Sequence, residues 1–280
     1  MQRRPYGATG ERLSLVGMGG IVVADIPQEE ANRLVAEAVD GGVNYFDVAP
    51  TYGNAQERLG PALEPYRKNV FLACKTAERD KEASAKELET SLKLLRTDHV
   101  DLYQLHGLSS VEEVEKAFGP GGAMETFLEA KKAGKTRFLG FSAHSAEAAA
   151  EALTRFNFDS VLFPLNFVCW YHGFGPMTLQ LAKSKGAARL ALKAMAHSNW
   201  PEEGKRKWGK CWYQPFDDWG SVELALRFAL SQDITAAIPP GEPELFKMAV
   251  GVAKKFHPLS IEELDQLRET AKTVKPIFPQ

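Results

Sequence analysis

Four side chains in the first 106 residues are of the types that proton-transfer chemistry uses, namely Asp47, Tyr52, Lys75 and His106. A lysine beside a tyrosine stabilises the tyrosinate, so a phenol with an ordinary pKa near ~10 can donate a proton closer to neutrality. Asp47 can pair with that lysine, because each buried charge is costly alone. His106 can hydrogen-bond a carbonyl oxygen and orient it towards the phenol. This set predicts a site that protonates a carbonyl oxygen.

Each of these residues is predicted to lie at, or just beyond, the end of a strand. The apolar segment 43–46 predicts a strand that ends at Asp47, and the turn after it carries Tyr52. Lys75 and His106 directly follow the next two predicted strands. Taken alone, Asp47 and Tyr52 could simply cap a helix and cover a strand end. Because these strands are expected to be neighbours, their ends would bring Asp47, Lys75 and His106 together. This favours the catalytic interpretation.

Strands and helices are predicted to alternate along the whole chain. After an apolar run at 13–16, strands are predicted at 43–46, 70–74, 100–105, 136–141, 160–165, 188–192 and 234–238. Helices are predicted at 28–39, 55–63, 84–95, 123–133, 146–155, 177–184, 222–230 and 244–255, with one more within 258–280.

This alternation predicts an α/β fold, specifically a closed (β/α)8 TIM barrel formed by residues 1–280 as a single domain. No Gly-x-Gly-x-x-Gly sequence follows the first strand, which weighs against an open dinucleotide-binding sheet. An N-terminal β-hairpin is predicted from 2–6 and 12–15. An irregular insertion, 197–219, is predicted after the seventh barrel strand. Its tryptophans could form a stacking surface for a ring or pack on one another.

Composition excludes several classes of protein. The chain has 280 residues and a formal net charge of -2, without a long basic run, which argues against nucleic acid as a partner. No apolar run is long enough to span a membrane, and the N-terminus lacks a signal-peptide pattern. The three cysteines are too few and too scattered for a zinc site or a disulfide framework. We therefore expect a cytoplasmic protein without a metal site.

The catalytic candidates resemble the tetrad of the aldo-keto reductases, and the resemblance extends over essentially the whole chain. It is carried by Phe46-Asp47-x4-Tyr52-Gly53, Ala73-Cys74-Lys75-Thr76, Asp101-Leu102-Tyr103-x2-His106, Gly140-Phe141-Ser142 and Pro164-Leu165-Asn166. The family implies a barrel that binds NADPH and transfers hydride to a small aldehyde or ketone. By this match Tyr52 is the general acid, Lys75 and Asp47 tune its pKa, and His106 orients the substrate.

The resemblance also implies residues that bind the cofactor. Ser142 and Asn166 match positions that hold the nicotinamide carboxamide, although either could instead cap a strand end. The glycines of the segment 17–20 let a backbone approach a ligand or turn tightly. The predicted cofactor set is Gly19, Gly20, Asp47, Ser142, Asn166, Lys193 and Gly241.

Several departures from the family pattern concern that cofactor. Ala143, Leu162 and Leu192 replace residues that usually contact the nicotinamide. The segment after the eighth strand usually binds the adenosine 2′-phosphate, but here it carries Glu242 and Glu244, which repel a phosphate. The cofactor is therefore predicted to be NADP or NAD, with Lys193 as a cation for its phosphates.

Two other functions are compatible with the sequence. The protein could be a cofactor-binding sensor or regulatory subunit, although the intact tetrad argues against this. It could also be a Schiff-base lyase with Lys193 as nucleophile, which would leave the tetrad unexplained. The sequence specifies neither the physiological substrate nor an oligomeric state.

Overall fold

A computed structural model describes residues 1–202 and 205–278. The strands are β1 (Arg3–Pro5), β2 (Arg12–Ser14), β3 (Met18–Gly19), β4 (Tyr45–Val48), β5 (Phe71–Thr76), β6 (Val100–Leu108), β7 (Thr136–Ala143), β8 (Ser160–Pro164), β9 (Ala188–Leu192), β10 (Ala196–Asn199), β11 (Tyr213–Pro215) and β12 (Ala236–Ile238).

The helices surround these strands. They are α1 (Gln28–Asp40), α2 (Ala55–Leu63), α3 (Lys81–Leu94), α4 (Val111–Phe118), α5 (Ala123–Lys132), α6 (Ala146–Arg155), α7 (Phe167–Tyr171), α8 (Pro176–Ser184), α9 (Trp219–Ser231), α10 (Pro243–Lys254) and α11 (Ile261–Thr273), with 3₁₀ turns at Gly20–Val23 and Arg67–Asn69. Several begin at a Ser or Asp whose side chain accepts a hydrogen bond from the first helical turn, as Asp80 does from the Ala83 N–H at 2.9 Å.

Eight parallel strands, β3 to β9 and β12, form the barrel that the sequence predicts. The barrel closes where Val16, just before β3, bridges to Ala237 of β12. Across this seam the Gly17 N–H donates to the Ala237 carbonyl and the Ala237 N–H to the Leu15 carbonyl, both at 2.9 Å. The first barrel strand therefore lies later than the predicted 13–16, because Arg12–Ser14 pairs with Arg3–Pro5 in the antiparallel N-terminal hairpin.

The hairpin covers the N-terminal end of the barrel. Its Tyr6 is fully buried, packs 4.9 Å from the ring of Phe71, and donates a hydrogen bond to the Ser160 hydroxyl at 2.8 Å. Side chains alternate along a strand, so Tyr45 and Asp47 of β4 point into the barrel while its other residues face the helices. Asp47 lies nearer the other end of the barrel, where the strand finishes.

The segment 197–219 departs from its predicted irregular structure. Within it β10 and β11 form an antiparallel pair in which Asn199 lies opposite Tyr213, and α9 already begins at Trp219. Residues 203 and 204 of the predicted insertion lie outside the described residues. The strand β10 is the short polar sequence Ala-His-Ser-Asn, whose pairing depends on β11 and not on its own hydrophobic pattern.

Candidate active site

A buried ion pair lies at the C-terminal ends of β4 and β5. The Lys75 ammonium donates a hydrogen bond to Asp47 Oδ1, and both side chains are almost fully buried. Asp47 Oδ2 accepts two more hydrogen bonds, from the Tyr45 hydroxyl at 3.1 Å and from Gln104 Nε2 at 3.0 Å. Despite burial, which acts in the opposite direction, the charge of Asp47 raises the pKa of Lys75 to about 12. Lys75 therefore stays charged at neutral pH.

Tyr52 lies in the turn after β4, where its N–H donates to the Ala49 carbonyl at 3.1 Å. Its ring centroid is 5.2 Å from the Lys75 ammonium and 5.6 Å from the His106 ring. Burial raises the pKa of Tyr52 above its ordinary value, and Asp47 adds to this, whereas Lys75 acts to lower it. The net direction is opposite to the expected lowering, because desolvation of the phenolate outweighs the nearby ammonium.

His106 lies at an irregularity in β6. The pairing of β6 with β7 shifts register between Leu105 and Leu108, and Gly107 has a φ of 66°. The imidazole ring faces Tyr52, and its Nδ1 lies 3.4 Å from the Thr51 hydroxyl. Burial and then the charge of Lys75 lower the pKa of His106 to about 3. The ring is therefore neutral at physiological pH and has one N–H to donate.

The predicted nicotinamide residues Ser142 and Asn166 occupy different surroundings. Ser142 lines the cavity that holds Asp47, Tyr52, Lys75 and His106, and its hydroxyl accepts a hydrogen bond from the Gly107 N–H at 2.7 Å. Asn166 is not among the residues that line this cavity.

Instead, Asn166 is the N-cap of α7. Its Oδ1 accepts from the Cys169 N–H at 2.8 Å, and its Nδ2 donates to the Lys193 carbonyl at 3.2 Å. The sequence analysis considered a cap on the strand end, whereas the structure shows the N-cap of the helix that follows.

The glycines predicted to bind the cofactor lie near the opening of this cavity, which we call the mouth. Gly241 lines the cavity, and a Cβ there would approach Ile21 Cγ2 to 2.3 Å. Gly20 is beneath the lining, where a Cβ would meet Val48 Cγ2 at 2.6 Å, and Gly19 ends β3 beside it. The glycines at 20 and 241 are therefore explained by close packing of the mouth loops.

Lys193 forms the wall of the cavity after β9. Its φ is 59°, and its Nζ lies 3.5 Å from Nε2 of His144 and 5.4 Å from the ring centroids of Trp212 and Phe278. Burial, and secondarily the charge of Lys75, lower the pKa of Lys193 to about 7. The sequence analysis did not identify His144 or Phe278. His144 follows Ser142 by two residues, which was the available signal.

Residues 210–212 line the cavity, and the segment 205–212 that contains them is anchored on two loops. The Lys210 ammonium donates to the carbonyls of Ala24 at 2.7 Å, Val22 at 3.1 Å and Ile21 at 3.3 Å, in and just after the 3₁₀ turn. The Lys210 N–H donates to Glu242 Oε1 at 2.7 Å. Glu242, predicted as a phosphate-repelling residue, therefore also holds this segment in place.

Within residues 1–202 and 205–278, no group of three or more His, Cys, Asp or Glu side chains could hold a metal ion. In the same part of the chain, no helix is long and apolar enough to cross a membrane.

Comparison with known proteins identifies the family. The model of the aldo/keto reductase family matches residues 15–209. The uncharacterized oxidoreductase YqkF of Bacillus subtilis is 24% identical, with 97% of each chain covered. The L-galactose dehydrogenase of Arabidopsis thaliana is 28% identical over 74% of this chain and 70% of its own.

The fold is also similar to that of a solved structure, the holo form of an aldo-keto reductase from Bacillus halodurans. The TM-score is 0.75 at 23% identity, with 99% of this chain and 98% of that chain covered. The barrel and its hairpin thus agree with a known architecture. The chain belongs to the aldo/keto reductase family and is an NAD(P)H-dependent oxidoreductase.

Proposed function

We propose that this protein reduces a small aldehyde or ketone, or oxidises the corresponding alcohol, with Tyr52 as the proton donor. The observation that carries the proposal is the convergence of Tyr52, His106 and the Lys75–Asp47 pair on one cavity. A bound nicotinamide supplies the hydride from its C4. The oxygen that gains negative charge as the carbonyl is reduced then takes the phenolic proton.

Each member of the tetrad has one role in this proposal. Neutral His106 donates its N–H to the substrate oxygen and orients it towards Tyr52. The charge of Lys75 favours the tyrosinate that forms as the proton leaves, and it partly offsets the cost of burying that charge. Asp47 keeps the ammonium charged and in place.

The residues around the cavity are compatible with a nicotinamide dinucleotide. The Ser142 hydroxyl and the backbone at Gly241 line it, and they are the groups that would hold the carboxamide and the diphosphate side of the cofactor. The acidic pair Glu242 and Glu244 supports acceptance of both NADH and NADPH. We propose that the protein is cytoplasmic. Its three cysteines are free thiols, as expected in a reducing compartment.

A single-turnover experiment separates an enzyme from a sensor that only binds cofactor. Reduced cofactor is mixed with an excess of protein and of an aromatic aldehyde, and nicotinamide absorbance is followed. An enzyme oxidises the bound cofactor in the presence of aldehyde, in one exponential phase. A cofactor that binds but stays reduced would contradict the proposal and favour the regulatory function.

The low pKa of Lys193 favours one alternative, a Schiff-base lyase, because a neutral amine is the nucleophile that such chemistry needs. In that case borohydride in the presence of a carbonyl compound would attach the compound irreversibly to Lys193. Without such an adduct the lyase is excluded, and the tetrad remains the centre of the chemistry.

A further inference from the structure

Lys193 is a basic residue of the cavity, and within the described residues its ammonium has no carboxylate partner. Across residues 1–202 and 205–278 no acidic side chain forms a salt bridge with it, whereas Lys75 in the same cavity pairs with Asp47. The aromatic rings of Trp212 and Phe278 compensate only in part for a missing counter-ion. A half-buried cation of this kind gains most when a ligand brings the negative charge.

Lys193 lies close enough to His106 and Lys75 for their charges to influence one another's pKa values. The Lys193 ammonium contributes to the lowered pKa of His106, and Lys75 contributes to that of Lys193. The amine therefore lies within Coulombic reach of the two residues that flank Tyr52. A ligand whose carbonyl oxygen contacts His106 can extend a second group towards Lys193.

The surroundings of Lys193 are largely aromatic. Trp212 is 46% exposed and lines the cavity, and Phe278 stacks on the His144 ring at a centroid distance of 5.0 Å. Burial lowers the pKa of His144 to about 3, so its ring is neutral and does not compete as a second cation. The ring centroids of Trp212 and Phe278 are 5.8 Å apart, so both rings lie on the same side of the ammonium, and neither supplies a negative charge.

We propose that Lys193, together with His144, Trp212 and Phe278, is a subsite for the carboxylate of the substrate. The substrate class is then a carbonyl compound that also carries an acidic group. This assignment rests on the proposed carbonyl reduction. A phosphate of the cofactor has the same anionic oxygen chemistry, and the tests below distinguish the two sources.

Protonation of Lys193 makes the subsite sensitive to pH. With a pKa of about 7 the amine is close to half charged at pH 7, and an anion binds only the charged form. The other titratable groups that face it are His144 and His106, which are neutral, Cys169, which raises the pKa, and Lys75, which lowers it. Binding of a carboxylate should therefore take up roughly half a proton at pH 7.

The first test measures binding without any reaction. Benzoate and benzamide are titrated into the wild type by calorimetry, in buffers with different ionisation enthalpies, at pH 6 to 9. We expect benzoate to bind more tightly than benzamide, with proton uptake near pH 7 and an affinity that falls about tenfold per pH unit well above pH 7. Lys193→Met should abolish the proton uptake and the preference for benzoate.

The second test measures specificity. The substrates are 4-carboxybenzaldehyde and its neutral methyl ester, and the readout is the ratio of their kcat/KM values. Lys193→Met should lower the ratio of acid to ester by about ten- to a hundredfold, the contribution of one charged hydrogen bond. Lys247→Met is the control, because it removes the same charge from α10, outside the residues that line the cavity, where the ammonium already pairs with Glu37 at 2.9 Å.

Two results would overturn the assignment. One is equal binding of benzoate by the wild type and Lys193→Met. The other is an unchanged acid-to-ester ratio with a dissociation constant for NADH raised tenfold or more, which would assign Lys193 to a cofactor phosphate. The benzoate titration needs no turnover. If no carbonyl compound is reduced, the proposed function fails while the carboxylate subsite is still tested.

Discussion

Asp47 is the residue on which the buried charges of the site depend. It accepts hydrogen bonds from Lys75, Tyr45 and Gln104, so a carboxylate that would be costly to bury alone is fully satisfied. Lys75 in turn carries its charge beneath the Tyr52 ring. The phenol is thus provided with a fixed positive charge that water does not screen.

At the same scale, Tyr52→Phe should abolish reduction and leave cofactor affinity within a few-fold. The phenol donates its proton only as the reaction proceeds, so its loss lowers the rate of the chemical step by about 10² to 10⁴. Stopped-flow measurement checks the rate of the chemical step, and a fluorescence titration checks the affinity for the cofactor. A variant that retains more than a tenth of the wild-type rate would show that Tyr52 is not the acid.

Lys75→Met should lower both activity and stability. Removal of one partner of a buried pair costs roughly 3 to 5 kcal/mol, and the low end is expected here because Tyr45 and Gln104 still donate to Asp47. The free energy of unfolding is measured in urea. Lys75→Met combined with Asp47→Asn should recover part of the stability and none of the activity, and equal stability of the single and double variants would show that the residues are not paired.

At the scale of elements, the regular parts of the fold were predictable and the irregular ones were not. Hydrophobic periodicity predicted the strands that carry Asp47, Lys75 and His106, because that signal is local. The shift in β6 beside His106 and the pairing of β10 with β11 depend on neighbouring strands. Lys210 was also missed as an anchor, because its carbonyl partners are more than 180 residues earlier in the chain.

At the scale of the whole molecule, the two ends of the barrel have different roles. The hairpin residues Tyr6 and Leu13 are fully buried against the barrel interior and cover its N-terminal end. Asp47 and Lys75 lie at the opposite end, in the cavity that Lys210 also lines. In the proposed function, substrate and cofactor share the mouth of this cavity. The charges around the rim of that mouth are then expected to govern which dinucleotide binds.

Those rim charges predict weak discrimination between NADH and NADPH. Glu242 and Glu244 lie at the start of α10, where the family usually places basic residues for the 2′-phosphate. Each charged hydrogen bond to a phosphate contributes about 1.5 to 3 kcal/mol, so loss of two removes a preference of roughly two to four decades. We expect dissociation constants for NADH and NADPH within about tenfold of each other.

Most other cations near the rim already have partners. Lys247 pairs with Glu37 at 2.9 Å and Lys207 with Asp217 at 2.6 Å. Lys205 and Arg206 are exposed, and we take them as the remaining candidates for a contact with the 2′-phosphate. A hundredfold preference for NADPH in a titration of the wild type would contradict the prediction and point to them.

The direct experiment on these charges is Glu244→Arg, with Glu244→Gln as the matched control that removes the negative charge without adding a positive one. Glu244 is exposed, whereas the neighbouring Leu245 is fully buried and Glu242 holds the Lys210 N–H, so substitution at 244 disturbs the least structure. Glu244→Arg should tighten NADPH about ten- to a hundredfold relative to NADH, and Glu244→Gln by less. High salt should reduce the gain, since exposed charges are screened. If both variants leave the ratio of the two dissociation constants unchanged, the 2′-phosphate does not contact this end of α10.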